Sequence, residues 1–263
     1  MGVGDDMDNV VIGFIVFFYG SVFTSFFTLI GMRIPNEEPI NGRSVCDQCR
    51  KVIPWYALIP VFGYFISGAK CVHCGERIAI KYPIYEFVGG LLFVLAYFYV
   101  MPNVFELVIV NIMLSLMIIV TVSDIEYKVV PNVVLLVFAP FIFGLRVFLP
   151  LLSDEVIMST GEALTGGVVG FLFMWLIAWY GKMRFKQDAL GGGDIKLYFV
   201  IGLFLGIRLV FLSLFFASIL GIIIGRLVIK KMNPIPFVPF IFFGVIMTYV
   251  FGFDLLEWYL SLF

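Results

Sequence analysis

The chain has 263 residues, of which 62% are hydrophobic, 18% aromatic and only 13% charged, with a mean hydropathy of +1.09. A soluble domain carries about a quarter charged residues, so an ordinary water-soluble globular protein is excluded, and no basic tract of the kind that binds nucleic acid is present. The formal net charge of −1 is uninformative about partners; the placement of charges along the chain carries the information.

Eight apolar stretches approach the roughly 20 residues that a helix needs to cross a bilayer. They fall at 10–30, 84–100, 104–123, 133–150, 163–180, 195–206, 209–228 and 236–253. The pattern predicts an all-α polytopic membrane protein of about eight transmembrane helices, with one small soluble domain between the first two. The expected organisation is a first anchor at 1–30, a soluble segment at 31–83 and a membrane domain of about seven helices at 84–263. Asp5, Asp6 and Asp8 precede the first apolar run. That charge is wrong for a cleaved signal peptide, so the first helix is expected to stay as an anchor.

Segment 31–83 contains all four cysteines, as Cys46-Asp47-Gln48-Cys49 and Cys71-Val72-His73-Cys74, with 21 residues between the pairs. This is close to the spacing of a four-cysteine zinc site, in which two short knuckles each present two thiolates. Two disulfides are the alternative; a reducing cytosol and the two-residue spacing favour the metal. A segment of this size holds too small a core to be stable unaided, so a structural zinc is expected. With four thiolates available, His73, the only histidine, is expected to be a knuckle residue and not a ligand. Glu86, at the start of the second apolar run, reads as a cap or first-turn charge, or as part of a second site.

Further along, Asp124 ends the third apolar run in Val120-Thr121-Val122-Ser123-Asp124-Ile125-Glu126. Asp194 stands in Leu190-Gly191-Gly192-Gly193-Asp194-Ile195-Lys196, between two stretches apolar enough to span a bilayer. A carboxylate is costly at membrane depth, so each is a functional candidate. Taken singly, Asp194 reads equally well as the N-cap of the sixth helix, and Asp124 as a partner of Lys128 one turn on. The sixth run is short: from Asp194 to Gly206 a helix reaches only about 20 Å. Arg208 then falls near the far side, and either the helix starts inside the membrane edge or Arg208 snorkels.

Orientation follows from lysine and arginine. With the N-terminus outside, the cytoplasmic segments 31–83, 124–132, 181–196 and 226–235 hold 15 of the 17 basic residues; Arg146 and Arg208 are the exceptions. This positive-inside bias puts Asp124 and Asp194 together on the cytoplasmic side. Two carboxylates a few ångströms apart cannot both ionise easily and share a proton. The ionised one takes a proton from water, which attacks a peptide carbonyl, while the protonated one donates to the carbonyl oxygen. Gly191, Gly192 and Gly193 are expected to let backbone approach an extended substrate and to adopt positive φ. Pro131 is expected to end the helix after Asp124, and Pro236 and Pro239 to open the start of the last helix.

In this register the motifs resemble the type IV prepilin peptidases, the GxGD-type leader peptidases of type IV pilus, type II secretion and competence systems. The resemblance begins at Gly20-Ser21-Val22-Phe23 and Arg33-Ile34-Pro35 and covers nearly the whole chain. It continues through Arg43-Ser44-Val45-Cys46, Trp55-Tyr56, Ile59-Pro60, Gly68-Ala69-Lys70-Cys71 and Tyr82-Pro83-Ile84-Tyr85-Glu86. Asp124 to Asn132, Gly191 to Leu197 and Ile235-Pro236-Phe237-Val238-Pro239-Phe240 complete it. Three positions depart from the family pattern: Asp47 in place of proline, Asn132 in place of aspartate and Val238 in place of glycine.

The resemblance implies an aspartic endopeptidase of the bacterial cytoplasmic membrane. Asp124 and Asp194 would be catalytic, with Gly191, Gly192, Gly193 and Lys196 as the supporting loop. It would cut the short basic leader of prepilins and pseudopilins after a glycine, ahead of the substrate's own apolar helix. The resemblance also implies methylation of the new N-terminus from S-adenosylmethionine. No nucleotide-binding glycine fingerprint supports this separately, and Glu86 is the candidate residue at the side where the new amine appears. The alternatives are a proton- or ion-coupled transporter using the two aspartates and a scaffold whose zinc domain binds a partner. A transporter site is expected at the midplane of matched halves, and a scaffold leaves the glycine–aspartate run unexplained. Presenilin-like peptidases share the glycine–aspartate signature but not the four-cysteine domain.

Overall fold

A computed structural model of the chain describes residues 3–46, 48–148, 158–186, 190–228 and 236–262. Among these residues the regular structure is helical. The α-helices are α1 (Val3–Arg33), α2 (Phe62–Ile66), α3 (Lys81–Val100), α4 (Val104–Tyr127), α5 (Asn132–Phe148), α6 (Thr160–Phe185), α7 (Gly192–Val228) and α8 (Val238–Leu260). Six of them, α1, α3, α4, α6, α7 and α8, are long and apolar enough to cross a membrane, and α5 is a shorter apolar helix of 17 residues. Among its described residues, the segment between α1 and α3 contributes only the five-residue α2, two 3₁₀ turns and two isolated β-bridges.

The sixth and seventh apolar runs, expected as separate helices, are two halves of α7 joined at Gly206, whose φ of 75° and ψ of 174° interrupt the helix. Only glycine adopts such a backbone cheaply, and a Cβ there would strike the Met158 sulfur. A break takes the carbonyls before it out of the helical ladder. One of them, of Phe204, accepts a hydrogen bond from Arg146 Nη2 at 3.1 Å. Arg146 is only 2% exposed, so this bond, and a guanidinium placed 5.9 Å from the Phe204 ring centroid, compensate a buried charge. Arg208, two residues past the break, pairs with Glu162 Oε1 at 2.8 Å and stays largely exposed. Its ion pair accounts for the second basic residue outside the segments that the charge pattern predicts to be cytoplasmic.

The chain divides into two compact units, Met1–Ile119 and Val120–Phe263. In the first, α1 packs along α3. In the second, α7 is the central element, flanked by α5, α6 and α8. Phe173 meets Phe211 edge-on at 4.9 Å between α6 and α7, and Phe204 stacks on Tyr249 at 5.3 Å between α7 and α8. A capping box opens α6: Ser159 accepts from the Glu162 N–H and the Glu162 carboxylate returns to the Ser159 N–H. This arrangement brings the end of α4, the start of α7 and the start of α8 to one end of the second unit.

Candidate active site and metal centre

Asp124 lies in the last turn of α4 and is buried. The helix stops at Tyr127, where Lys128 turns left-handed with φ 57° and its N–H closes back on the Asp124 carbonyl at 2.9 Å. The helix therefore ends before Pro131, which instead precedes α5. Asp124 Oδ2 accepts the Val238 N–H at 2.8 Å, and the Phe237 N–H also points to this carboxylate. The first N–H groups of any helix lack internal partners, and a carboxylate at that end meets the positive pole of the helix dipole. Pro236 and Pro239 have no N–H to offer, so Asp124 takes those of the two residues between them. Lys128 exerts a weaker electrostatic pull. The pairing with Lys128 weighed from spacing is thus secondary to a contact 114 residues away in sequence.

Asp194 sits in the first turn of α7, which begins at Gly192, so it is not the N-cap. Its N–H donates to the Gly191 carbonyl at 3.1 Å, and its carboxylate lies within electrostatic reach of Asp124. The three glycines serve the site differently from expectation. None has positive φ; the positive-φ glycines among the described residues are Gly42, Gly68, Gly75 and Gly206. Gly193 is required by packing, because a Cβ there would lie 2.6 Å from the Val130 Cβ. This close approach seats the start of α7 on the loop that follows α4, and so brings the two aspartates together. Gly192 has open space around its Cα. Lys196, one residue beyond the first turn, donates to Asn132 Oδ1 at 2.8 Å and ties α7 to the start of α5. Spacing alone missed Val130, Asn132 and the Val238 N–H as partners. The signal for the last was the pair of prolines around Phe237-Val238.

In the first unit, Cys46, Cys49, Cys71 and Cys74 converge so that their sulfurs all lie within 4.8 Å of one another. None is in a disulfide. The Cys46–Cys74 and Cys49–Cys71 sulfurs are 3.8 and 3.9 Å apart, close to the edge of about 3.8 Å of a tetrahedron with Zn–S bonds of about 2.3 Å. The two halves share one backbone pattern. Arg50 donates to the Cys46 carbonyl and Gly75 to that of Cys71, both residues having positive φ. Cys46 in turn donates to Lys51 and Cys71 to Glu76. Backbone N–H groups of Cys74 and His73 draw the Cys71 thiol down to about 6, so one proton leaves readily. Cys74 is held up at about 12 despite a favourable N–H of Glu76, because desolvation and the adjoining sulfurs oppose a further charge. A bound cation would supply the charge that lets all four act as thiolates. His73 is outside the cluster; its Nε2 meets the Val52 carbonyl at 3.1 Å and links the knuckles.

Glu86, on the second turn of α3, accepts the Val61 N–H on Oε2 at 2.7 Å and a further bond from Ser25. Val61 has φ 62° and ψ −55°, an unfavourable conformation for a β-branched residue. Glu86 thereby fixes a strained turn of the soluble segment to α3, a structural task not foreseen from its position.

Comparison with known proteins decides the family. The model of the bacterial peptidase A24 N-terminal domain matches residues 18–100, and that of the type IV leader peptidase family matches 111–226. The chain is 34% identical over 256 residues to the prepilin leader peptidase/N-methyltransferase of Bacillus subtilis (strain 168), covering 94% of this chain and 98% of that protein. The chain belongs to the type IV leader peptidase family. The like-named protein of Klebsiella pneumoniae is 33% identical over 204 residues, 74% of this chain and 85% of its own length. That of Myxococcus xanthus (strain DK1622) is 31% identical over 215 residues, 81% of this chain and 62% of its own. No solved structure matches the chain. For a leader peptidase of this family, the two model boundaries fall so that both aspartates belong to the second match and all four cysteines to the first.

Proposed function

We propose how this chain performs the two activities that its relatives' names carry, removal of a prepilin leader and methylation of the new N-terminus. Asp124 and Asp194 are the catalytic pair. The observation that carries this is their mutual electrostatic reach, with one held by the first N–H groups of α8 and the other by the first turn of α7. The pair holds one proton between its two carboxyls. The ionised carboxylate accepts a proton from water as the oxygen attacks the scissile carbonyl; the protonated one donates to the carbonyl oxygen. When the C–N bond breaks, the amine leaves with a proton from the pair. The supporting residues keep this geometry: Gly193 against Val130, Lys196 on Asn132, Gly191 so close that a Cβ there would lie 3.3 Å from Asp194 Oδ2, and Gly192 with open space around it. Prepilins and pseudopilins of a pilus, secretion or competence system are the substrates, and their apolar helices enter from the bilayer.

Both aspartates act at the cytoplasmic face of the bacterial inner membrane, a reading supported by the positive-inside distribution of lysine and arginine. Zinc fits the four-cysteine cluster by donor type, number and sulfur spacing, and its role there is to fold segment 31–83. S-adenosylmethionine supplies the methyl group when bound. Glu86 is the residue we assign to the amine, with Oε2 committed to Val61. Glu86→Gln keeps an acceptor for Val61 and removes the charge. It should lower methylation of a synthetic, already-cleaved pilin peptide while leaving cleavage intact, and unchanged methyl incorporation would reject this role. Transport coupled to protons or ions is not favoured, since both aspartates lie at helix ends. The decisive experiment is mass spectrometry of a prepilin N-terminus with and without the protein, which reads cleavage and methylation together. An uncut prepilin in the presence of folded protein would end the proposal.

A further inference from the structure

Residues 54–66 of the soluble segment form a compact hairpin whose composition is unlike the rest of that segment. A 3₁₀ turn, Trp55–Leu58, leads through Ile59 and Pro60 into α2. The Phe62 and Gly63 N–H groups close back on the Pro60 and Ile59 carbonyls at 2.6 and 2.7 Å, so Pro60 and Gly63 are buried at the bend. The large apolar side chains around them are exposed. Trp55, Phe62, Phe65 and Ile66 are 72%, 55%, 70% and 60% exposed, and Tyr56 and Leu58 are exposed as well. Phe62, Phe65 and Ile66 are spaced i, i+3, i+4 and share one face of α2, and Trp55 and Leu58 eclipse one another at 3₁₀ spacing. In a cytosolic module so many large apolar side chains in so short a stretch call for a cover.

The depth of this hairpin is fixed. Glu86 lies about one and a half turns into α3, a helix read as a membrane span, and its carboxylate holds the Val61 N–H at the bend. The bend is therefore level with the first turns of a membrane helix, where the headgroup region lies. Lys51 and Lys70 flank the hairpin and are exposed, and Lys81 begins α3. Segment 31–83 as a whole carries seven lysines and arginines against four acidic residues. Aromatic side chains at headgroup level with lysines above them is the composition of an interfacial anchor on an anionic leaflet.

We propose that residues 54–66 are an interfacial membrane anchor, which lays Trp55, Phe62, Phe65 and Ile66 into the cytoplasmic leaflet and ties the four-cysteine module to the bilayer surface. The proposal rests on the reading of α1 and α3 as membrane spans, but not on the role of either aspartate. The strained Val61 then has a purpose: the turn it makes, held by Glu86, keeps the hairpin at that depth.

The test uses the full chain in lipid nanodiscs containing anionic lipid, with Trp55 as the sole tryptophan after Trp175→Phe, Trp179→Phe and Trp258→Phe. Prepilin cleavage serves as the check of fold. Lipids brominated near the headgroup end of the acyl chain should cut Trp55 emission about twofold, and lipids brominated near the terminal methyl distinctly less. In the same background, Phe65→Glu should reduce the quenching by lifting the hairpin. A parallel chain retaining only Trp179, on α6, should be quenched by brominated lipid whatever the hairpin does. Quenching of Trp179 without quenching of Trp55 overturns the anchor and leaves the membrane fold standing; quenching of neither overturns the membrane fold itself. Protection of Trp55 that appears only on adding prepilin, or only in discs with two copies of the chain, overturns lipid as the occupant.

Discussion

Asp124 and Asp194 carry the strongest prediction at the scale of single residues. Asp124→Asn keeps an oxygen that accepts the Val238 N–H, and Asp194→Asn leaves the first turn of α7 unchanged, so both variants should insert and fold. Each should lose prepilin cleavage by about 10²-fold or more, because an amide cannot take a proton from water or pass one on. Mass spectrometry of the prepilin N-terminus measures this, and near-normal turnover in either variant would remove the aspartic mechanism. The glycines beside Asp194 give a sharper contrast. A methyl at Gly193 meets Val130 at 2.6 Å, whereas Gly192 has nothing within 4 Å. Gly193→Ala should displace the start of α7, costing about 1–3 kcal/mol of stability and most of the cleavage activity. Gly192→Ala should be close to neutral in both. The aspartates were legible in the sequence because charge is rare and costly in apolar runs. The distinct jobs of three identical glycines were not, since which one meets a neighbour depends on where the chain returns in space.

At the scale of elements, α7 and the cysteine knuckles are the two features that depend most on a partner. The break at Gly206 combines a φ of 75° with contact to Met158. Gly206→Ala should therefore lower the unfolding midpoint in detergent, by the equivalent of about 1–3 kcal/mol. Arg146→Met removes the donor to the Phe204 carbonyl; leaving that buried acceptor unsatisfied costs about 1–3 kcal/mol, and the same melt reads it. An unchanged midpoint in both variants would show that the break is not held in this way. For the knuckles, purified protein should contain about one zinc per chain. Serine at Cys46, Cys49, Cys71 or Cys74 should release the metal and speed proteolysis within 31–83. Metal-free protein with mapped disulfides would refute the zinc site. The knuckles were readable because four ligands fall in two short stretches with a repeated backbone turn. The continuity of α7 was not: a glycine inside an apolar run marks a helix end and a helix break equally well.

For the whole molecule, the prediction is one of sidedness. A membrane-impermeant thiol reagent applied to intact cells should label Asp8→Cys and spare Lys186→Cys, each in a background whose native cysteines are replaced. Labelling of both from one side would overturn the orientation and with it the cytoplasmic location of the aspartates. The expectation follows from lysine and arginine, which resist translocation when clustered beside a span. Part of that evidence, including Lys230 and Lys231, lies outside the described residues, but Lys128, Lys182, Arg184 and Lys196 flank the ends of α4, α6 and α7 within it.

By itself the sequence determined composition-level and motif-level facts: a helical membrane protein, the residues that bear charge inside it, and the paired cysteines of a cluster that could hold a metal. These depend on one-dimensional quantities, the length of apolar runs and the spacing of ligands, which physical chemistry converts directly into helices and knuckles. Tertiary structure alone decided what each residue touches. Asp124 is held by a backbone 114 positions away, Lys196 by Asn132 across 64, and Arg146 finds its acceptor only because α7 breaks at Gly206. Such contacts arise from how helices pack, and packing is governed by the shape of facing surfaces, which no local pattern encodes.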